Sequence, residues 1–375
     1  MPRRATEHAL AAPRQWTAQV RIAPFILLSA SLVVGASATW AQAGGRPGPP
    51  PRVHLLATGG TISNVGDDKR RTGTELVDGI PGVGQMATVT VEQFSNVPSS
   101  AVTEAMWRGL ATRIRQLQQG DDAPVGFVIT HGTDTMEETA YFLSLTVGGC
   151  EPVLVTGAMR QANWVGADGP ANLRNAIRAA IAPASRGRGT MVLMNDELFA
   201  ARDVTKSNTT RLNAFSAPDA GVLGLTDPDT IVFHRPVPAS CRPSLFDLSA
   251  IGEFPRTDVV YAYIGADSVV VDALVNAGSR GLVVAGVGRG GTTPAMSRAL
   301  RRATERGVTV ILSNRTGSGR VGTASHPDSL AALPAGRGAT IGATDLNPQK
   351  ARVLLMLALA AHSSARRIAE LFDVP

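Results

Sequence analysis

Two threonines, an aspartate and a lysine are the residues of this sequence that could together perform chemistry: Thr61, Thr133, Asp134 and Lys206. A threonine hydroxyl is a weak nucleophile until a base takes its proton. Lys206 is the candidate base because the chain has only three lysines against 33 arginines, and a lysine can lose its proton whereas an arginine stays charged. Taken alone, Lys206 is more simply a surface lysine. Together, these residue types suit acyl transfer.

Two short apolar runs must position the threonines. Val53–Ala57 is typical of a buried parallel strand, and it ends at Gly59-Gly60, where the backbone can take conformations closed to other residues. Gly126–Thr130 is a second such run, and it leads directly into His131-Gly132-Thr133-Asp134. In open α/β sheets, ligands bind at the carboxyl ends of strands. We therefore expect the four side chains to converge if their strands are neighbours, with glycine N–H groups free for an oxyanion.

The polar turn after the second run also has a purely structural interpretation. Asp134 or Thr135 could cap the apolar helix predicted over Ala140–Val147. Capping accounts for one polar residue, or for two in a capping box, but not for four consecutive residues of this kind.

Strand-like and helix-like patterns alternate along the chain from residue 52, which is typical of the α/β class. We predict a larger N-terminal doubly wound α/β domain over residues 52–238 and a smaller C-terminal α/β domain over residues 257–375. The proline-rich residues 239–256, which lack clean periodicity, are predicted to be the linker.

The first 43 residues are predicted to be a signal peptide. A basic segment ends at Arg21, an apolar stretch follows, and Ala41-Gln42-Ala43 fits a cleavage site. The apolar stretch is short and interrupted for the alternative, a transmembrane anchor. Cleavage after about Ala43 would give a periplasmic or secreted protein with a disordered leader over residues 44–51 and no stable membrane anchor.

Composition and spacing exclude several classes of partner and cofactor. The net charge is +6, but the basic residues are scattered, so no nucleic-acid partner is expected. No Cys/His pattern has metal-ligand spacing, so no metal is expected. The glycine run over residues 286–291 lacks the acidic residue of a dinucleotide site, so no nucleotide cofactor is expected. Export permits a disulfide between Cys150 and Cys241, although spacing does not decide whether they meet.

Long stretches of the sequence resemble the bacterial-type L-asparaginases, most closely the exported, type II branch. The resemblance covers essentially all of residues 52–372, and its motifs are long, specific and in the family's order. They are LLATGGTI (55–62), ITHGTDTMEETAYFL (129–143), VTGAMR (155–160), ADGPANL (167–173), ARDVTKSNTT (201–210) and LNPQKARVLL (346–355).

The resemblance implies hydrolysis of the side-chain amide of L-asparagine to L-aspartate and ammonia, without a cofactor, in a homotetramer. It implies that Thr61 forms the acyl-enzyme and that Lys206, grouped with Thr133 and Asp134, acts as a base. Substrate-binding roles follow in the same way. The α-carboxylate would be bound by Ser99 and Ser100, the α-ammonium by Asp134, and the amide nitrogen by the Ala158 carbonyl.

The chain departs from the family pattern in four ways. Residues 62–100 contain no tyrosine, although family members carry a catalytic tyrosine in this lid, so an arginine or Thr72 would have to substitute. Arg289 stands where an asparagine is usual, and residues 315–327 lack the family's glutamate. The usual disulfide partner of Cys150 is also missing. These changes leave the substrate preference open.

Two alternatives therefore remain at this stage. One is a glutaminase-asparaginase, because one methylene of substrate length is worth only ~1–3 kcal/mol of discrimination. The other is a periplasmic amino-acid-binding protein, which would also be exported and built from two α/β domains. A binding protein would use Asp134 and the two serines but would have no use for Thr61 beside Lys206.

Overall fold

The computed structural model describes residues 48–67, 69–236, 241, 243–322 and 338–373. The predicted signal peptide lies outside these residues, as does half of the predicted leader, residues 44–47. Within the described ranges, no helix has the length and apolar character needed to cross a membrane.

The N-terminal domain is built on an eight-stranded sheet. Its strands are β1 (Arg52–Gly59), β2 (Thr88–Val97), β3 (Gly126–Thr130), β4 (Val153–Thr156), β5 (Thr190–Met194), β6 (Glu197–Ala200), β9 (Gly224–Thr226) and β10 (Ile231–Phe233), and a separate pair consists of β7 (Thr205–Lys206) and β8 (Phe215–Ser216). The sheet order is β10-β9-β6-β5-β4-β3-β1-β2. Strands β2, β1, β3, β4 and β5 run parallel, whereas β6, β9 and β10 pair antiparallel.

Apolar side chains cover both faces of this sheet. Successive residues of β1 enter different cores, since Leu55 packs in one hydrophobic cluster and Leu56 in the other. A strand buried on both faces is apolar throughout, which explains why these runs do not alternate. The helices of the domain are α1 (Gly73–Asp78), α2 (Val83–Met86), α3 (Glu104–Gln118), α4 (Met136–Thr146) and α5 (Gly169–Ile181), with 3-10 turns at Ser99–Ala101 and Pro183–Ser185.

The strand order reverses between β1 and β3. Strand β1 lies between β2 and β3 and is parallel to both, with Ala57 opposite Thr130 of β3. The chain passes from β1 to β2 on one side and then returns to β3 on the other. Such a switch point opens a crevice at the carboxyl ends of its two strands. The turns that follow β1 and β3 carry Thr61 and Thr133.

The C-terminal domain is a smaller, fully parallel sheet in the order β11-β12-β13-β14. Its elements are β11 (Thr257–Tyr261), α6 (Val269–Asn276), β12 (Gly281–Gly286), α7 (Pro294–Glu305), β13 (Thr309–Asn314), β14 (Thr340–Gly342), α8 (Pro348–Ala360) and α9 (Ala365–Asp373). The predicted fold class, a larger N-terminal and a smaller C-terminal α/β domain, is confirmed.

The two domains share a hydrophobic core. One cluster contains Phe142 of α4 together with Leu355 of α8 and Val283 of β12, all of them fully buried. Because α8 packs on α4, its first turn lies against the segment that carries Lys206. The domain junction therefore lies directly behind the carboxyl edge of the larger sheet.

Candidate active site

Two glycines bring the turns after β1 and β3 into backbone contact. A Cβ on Gly60 would lie 2.3 Å from the backbone nitrogen of Gly132. Gly60 also has a φ of +87°, a left-handed conformation that favours glycine. The next residue after Gly60 is Thr61 and the next after Gly132 is Thr133. The two threonine-bearing turns are thus adjacent because Gly60 has no side chain.

The turns that follow β2 and β4, the outer neighbours of β1 and β3, pack against the turn that follows β3. A Cβ on Gly132 would lie 2.8 Å from the Cβ of Ser99, and a Cβ on Gly157 would lie 2.3 Å from the carbonyl oxygen of His131. Ser99 is buried, whereas Ser100 beside it is exposed. Ala158, which follows Gly157, is fully buried. Four neighbouring strand ends therefore pack together at one edge of the sheet.

Thr133, Asp134 and Lys206 form a direct hydrogen-bonded group. The Lys206 Nζ donates to Thr133 Oγ1 at 2.8 Å and to Asp134 Oδ1 at 2.6 Å. The Asp134 side chain is 74% exposed and that of Lys206 is 13% exposed. An ion pair this open to water contributes only about 0–1 kcal/mol to stability. The arrangement therefore orients an amine toward a hydroxyl more than it stabilises the fold.

Thr61 lies in the first turn after β1 and is half-buried. Its carbonyl accepts a hydrogen bond from the Asn64 backbone at 3.1 Å, which closes the turn. No hydrogen-bond partner for its hydroxyl is found in the part of the chain that the structure describes. The hydroxyl is therefore free to turn toward a ligand at the crevice.

The helix-capping interpretation of Asp134 and Thr135 is wrong. Helix α4 begins at Met136 after Thr135, but no side chain makes a cap hydrogen bond there. The Thr135 hydroxyl instead donates to the Ser99 carbonyl at 2.9 Å, and Asp134 accepts from Lys206. Both side chains connect the turn to other strand ends rather than to their own helix.

His131 is a buried structural residue in a short chain of hydrogen bonds. Its Nδ1 donates to the Gly132 carbonyl at 2.7 Å, its Nε2 accepts from Thr139 Oγ1 at 2.9 Å, and the Thr139 hydroxyl accepts from Trp107 Nε1 at 2.8 Å. Burial lowers the pKa of His131 to about 4, so the ring is neutral near pH 7. A neutral ring with both nitrogens satisfied holds the turn before Thr133.

The segment after Thr61 forms a short hairpin-like turn. Asn64 and Arg70 pair as an antiparallel bridge, and Asn163 Nδ2 donates to the Val65 carbonyl at 2.8 Å. Thr72 forms a capping box at the start of α1, in which its hydroxyl accepts from the Glu75 N–H at 3.3 Å and its own N–H donates to Glu75 Oε2 at 2.7 Å. The Thr72 hydroxyl is thus used to cap a helix.

Two buried residues near Lys206 were not identified from the sequence. Glu137, on the first turn of α4, accepts a hydrogen bond from the Lys206 backbone N–H at 3.3 Å. Lys350, on the first turn of α8, donates from Nζ to the Arg202 carbonyl at 2.8 Å and to the Val204 carbonyl. Lys350 is one of only three lysines, a signal of the kind that marked Lys206. Glu137 lies inside the motif over residues 129–143, but nothing in its neighbouring residues indicates a contact with Lys206.

The two cysteines form a disulfide, with their Cα atoms 4.9 Å apart. It joins the loop after α4 to the segment between the domains. Among the described residues, no group of His, Cys, Asp or Glu side chains could hold a metal ion.

Family models match nearly all of the chain beyond residue 51. A model described as "Asparaginase, N-terminal" matches residues 52–239, and one described as "Glutaminase/Asparaginase C-terminal domain" matches residues 256–372.

Several named proteins are similar in sequence to this chain along most of their own length. L-asparaginase 2 of Bacillus subtilis is 39% identical, covering 86% of this chain and 86% of that protein. The probable periplasmic L-asparaginase of Haemophilus influenzae is 37% identical, covering 86% of this chain and 93% of that protein. The glutaminase-asparaginase of Pseudomonas fluorescens is 34% identical, covering 85% of this chain and 89% of that protein.

A solved structure agrees with these sequence relatives. The probable cytoplasmic L-asparaginase of Campylobacter jejuni superposes with a TM-score of 0.79 at 37% identity, covering 86% of this chain and 99% of that chain.

Proposed function

This chain belongs to the asparaginase family, and we propose that it hydrolyses the side-chain amide of L-asparagine to L-aspartate and ammonia through an acyl-enzyme on Thr61. The observation that carries the proposal is the Lys206 amine held between Thr133 and Asp134, beside the turn that carries Thr61. An amino-acid-binding protein has no use for this group, and membership of an amidohydrolase family decides against that alternative.

In the first half of the reaction, the Thr61 oxygen bonds to the amide carbon as the hydroxyl proton passes to the base, the amide nitrogen takes up a proton, and the C–N bond breaks to release ammonia. Backbone N–H groups of the glycine-rich turns would stabilise the oxyanion that develops on the amide oxygen. Lys206 would act as the base of the group in its neutral form, with its amine 2.8 Å from Thr133 Oγ1. In the second half, water attacks the ester on Thr61 and releases aspartate.

The substrate's α-amino acid end would be bound by charge and hydrogen-bond complementarity. A zwitterion needs an anion beside its ammonium group and O–H or N–H donors beside its carboxylate. Asp134 is exposed and uses Oδ1 for Lys206, which leaves Oδ2 for the ammonium. Ser99 and Ser100 would donate to the α-carboxylate, and the Ala158 carbonyl would accept from the amide nitrogen.

A second candidate function is a glutaminase-asparaginase. It is favoured by the similarity to the Pseudomonas fluorescens enzyme of that name and by the altered lid and Arg289. Ammonia release from L-asparagine and L-glutamine by purified residues 44–375, assayed side by side, separates the two. Release from asparagine alone supports the first function, and comparable release from both supports the second. Release from neither would contradict both.

We also propose that the protein is exported after cleavage near Ala43. The disulfide fits an oxidising compartment, and the Haemophilus influenzae relative is named periplasmic, although the Campylobacter jejuni relative is named cytoplasmic. The N-terminal sequence of protein recovered outside the cytoplasm is expected to begin near Gly44. An intact N-terminus on the active protein would contradict export.

The family resemblance further supports a homotetramer. Light scattering coupled to size-exclusion chromatography is expected to give the mass of four chains. The mass of a single chain for the active enzyme would contradict this proposal.

A further inference from the structure

The first turn of α8 contacts the backbone that leads into Lys206. Lys350 is 1% exposed, and its amine donates to the carbonyls of Arg202, at 2.8 Å, and of Val204. A buried ammonium group is costly unless its donors are satisfied. Here two of the three donors bond to carbonyls within four residues of Lys206, so the position of this backbone depends on a side chain of the C-terminal domain.

Glu137 holds the same backbone from the other side. Its carboxylate is buried and accepts from the Lys206 N–H at 3.3 Å and from Thr205 Oγ1 at 3.2 Å. It also accepts from Asn347 Nδ2 at 2.8 Å and from Gln349 Nε2 at 3.2 Å, both on or beside the first turn of α8. Glu137 thus connects the Lys206 amide to the same helical turn that carries Lys350.

Other contacts also hold this segment, since Arg202 pairs with Asp345 and Val204 is buried in the core, but its regular structure is short. Strand β7 is only two residues long and pairs with the two residues of β8. An isolated strand pair of this kind is marginally stable at best. The catalytic amine at the end of this segment must nevertheless stay within hydrogen-bonding distance of Thr133.

We propose that Glu137 and Lys350 are positioning residues that fix the Lys206 amine beside Thr133, so that the first turn of α8 in the C-terminal domain aligns the base of the active site. The effect on turnover rests on the proposed role of Lys206. The effect on the backbone over residues 202–206 does not.

The first test is kinetic. Lys350→Met keeps the length and apolar stem of the side chain but removes its donors, and Glu137→Gln replaces one acceptor oxygen with an NH₂ group that faces donors. Each is expected to lower kcat for L-asparagine between about 10-fold and about 100-fold, with KM changed much less, because small misplacements of a catalytic group are costly. Glu138→Gln, the neighbouring carboxyl on the same helix, is the matched control and is expected to keep wild-type kcat.

The second test shows whether the loss acts through Lys206. In a Lys206→Met background, Lys350→Met is expected to cause no further loss of kcat, because the group that it positions is gone. A further loss as large as in the wild-type background would overturn the proposal.

The third test needs no activity. Hydrogen exchange of a peptide covering residues 202–206 is expected to speed up in Glu137→Gln and Lys350→Met but not in Glu138→Gln. Unchanged exchange in both variants would overturn the proposal, even if the wild-type protein releases no ammonia. If either variant fails to fold, the other carries the test.

Discussion

At the carboxyl edge of the larger sheet, Gly60 and Gly132 bring two turns together through backbone atoms alone. At the domain junction behind it, Glu137 and Lys350 hold the Lys206 segment through hydrogen bonds from side chains. The first region is fixed by the absence of side chains and the second by buried charged ones. A substitution at the edge should therefore damage geometry directly, whereas one at the junction should act through hydrogen bonds, stability or pH.

The largest effect is expected from Gly60→Ala at the edge. The new Cβ would lie 2.3 Å from a backbone nitrogen, so the turns after β1 and β3 must separate. We expect kcat for L-asparagine to fall by about 100-fold or more, because displacing a catalytic group by about 1 Å can lower the rate by this factor. Steady-state kinetics would measure it, with a thermal melt to confirm folding.

Gly278→Ala is the matched control for this change. Gly278 has nearly the same φ, +86° against +87°, but a Cβ there meets no atom within 4 Å. The Gly278→Ala variant should lose only the stability that an alanine in the left-handed conformation costs, and its kcat should stay near the wild-type value. If Gly60→Ala behaved like Gly278→Ala, close packing of the strand ends would not be what positions the site.

A smaller effect, on stability alone, is expected from loss of the disulfide near the junction. The bond closes a loop between residues 91 positions apart, and removing such a bond typically costs about 2–4 kcal/mol. Cys150→Ser with Cys241→Ser should lower the free energy of unfolding in urea by this amount while kcat stays unchanged. An unchanged free energy, or two free thiols in the mass spectrum of the exported wild-type protein, would contradict the disulfide.

The smallest effect is expected from Glu138→Gln, and it should depend on pH. Burial raises the pKa of Glu138 to about 7 from an ordinary value of 4.5. Between these pH values the unfolded chain loses a proton that the folded state keeps, so the carboxyl destabilises the fold as pH rises, fully so above pH 7. The amide has no such cost. The free energy of unfolding should therefore rise by about 1–3 kcal/mol at pH 8 and stay unchanged at pH 4.5.

Urea unfolding at the two pH values measures this difference. Glu305→Gln removes an exposed carboxylate and serves as the control, with little change expected at either pH. An equal gain for Glu138→Gln at both pH values would mean that packing, not ionisation, accounts for it.

The edge could be predicted from the sequence because its determinants are local. Apolar runs that stop at Gly59-Gly60 and at His131-Gly132 indicate buried strands followed by special turns, and the structure has β1 and β3 there. The cap of α3 is local in the same way, since Thr103 is a residue type that caps helices and its hydroxyl accepts from the Met106 N–H at 3.3 Å.

The junction could not be predicted because its partners are far apart in the chain. Glu137 and Asn347 are 210 residues apart, and Lys350 lies 146 residues from Val204. Such pairs leave no period or spacing in a single sequence. The same limit explains why the sequence left capping open as an alternative for Asp134 and Thr135, whose partners, Lys206 and Ser99, come from other strand ends.

The most direct test of the central claim is turnover and substrate binding by Thr61→Ala, measured by ammonia release and by calorimetric titration with L-asparagine. We expect turnover to be abolished while the melting temperature and the binding of L-asparagine stay near wild-type values, because only the attacking oxygen is removed. A Thr61→Ala enzyme that kept most of the wild-type kcat would show that the acyl-enzyme does not form on Thr61.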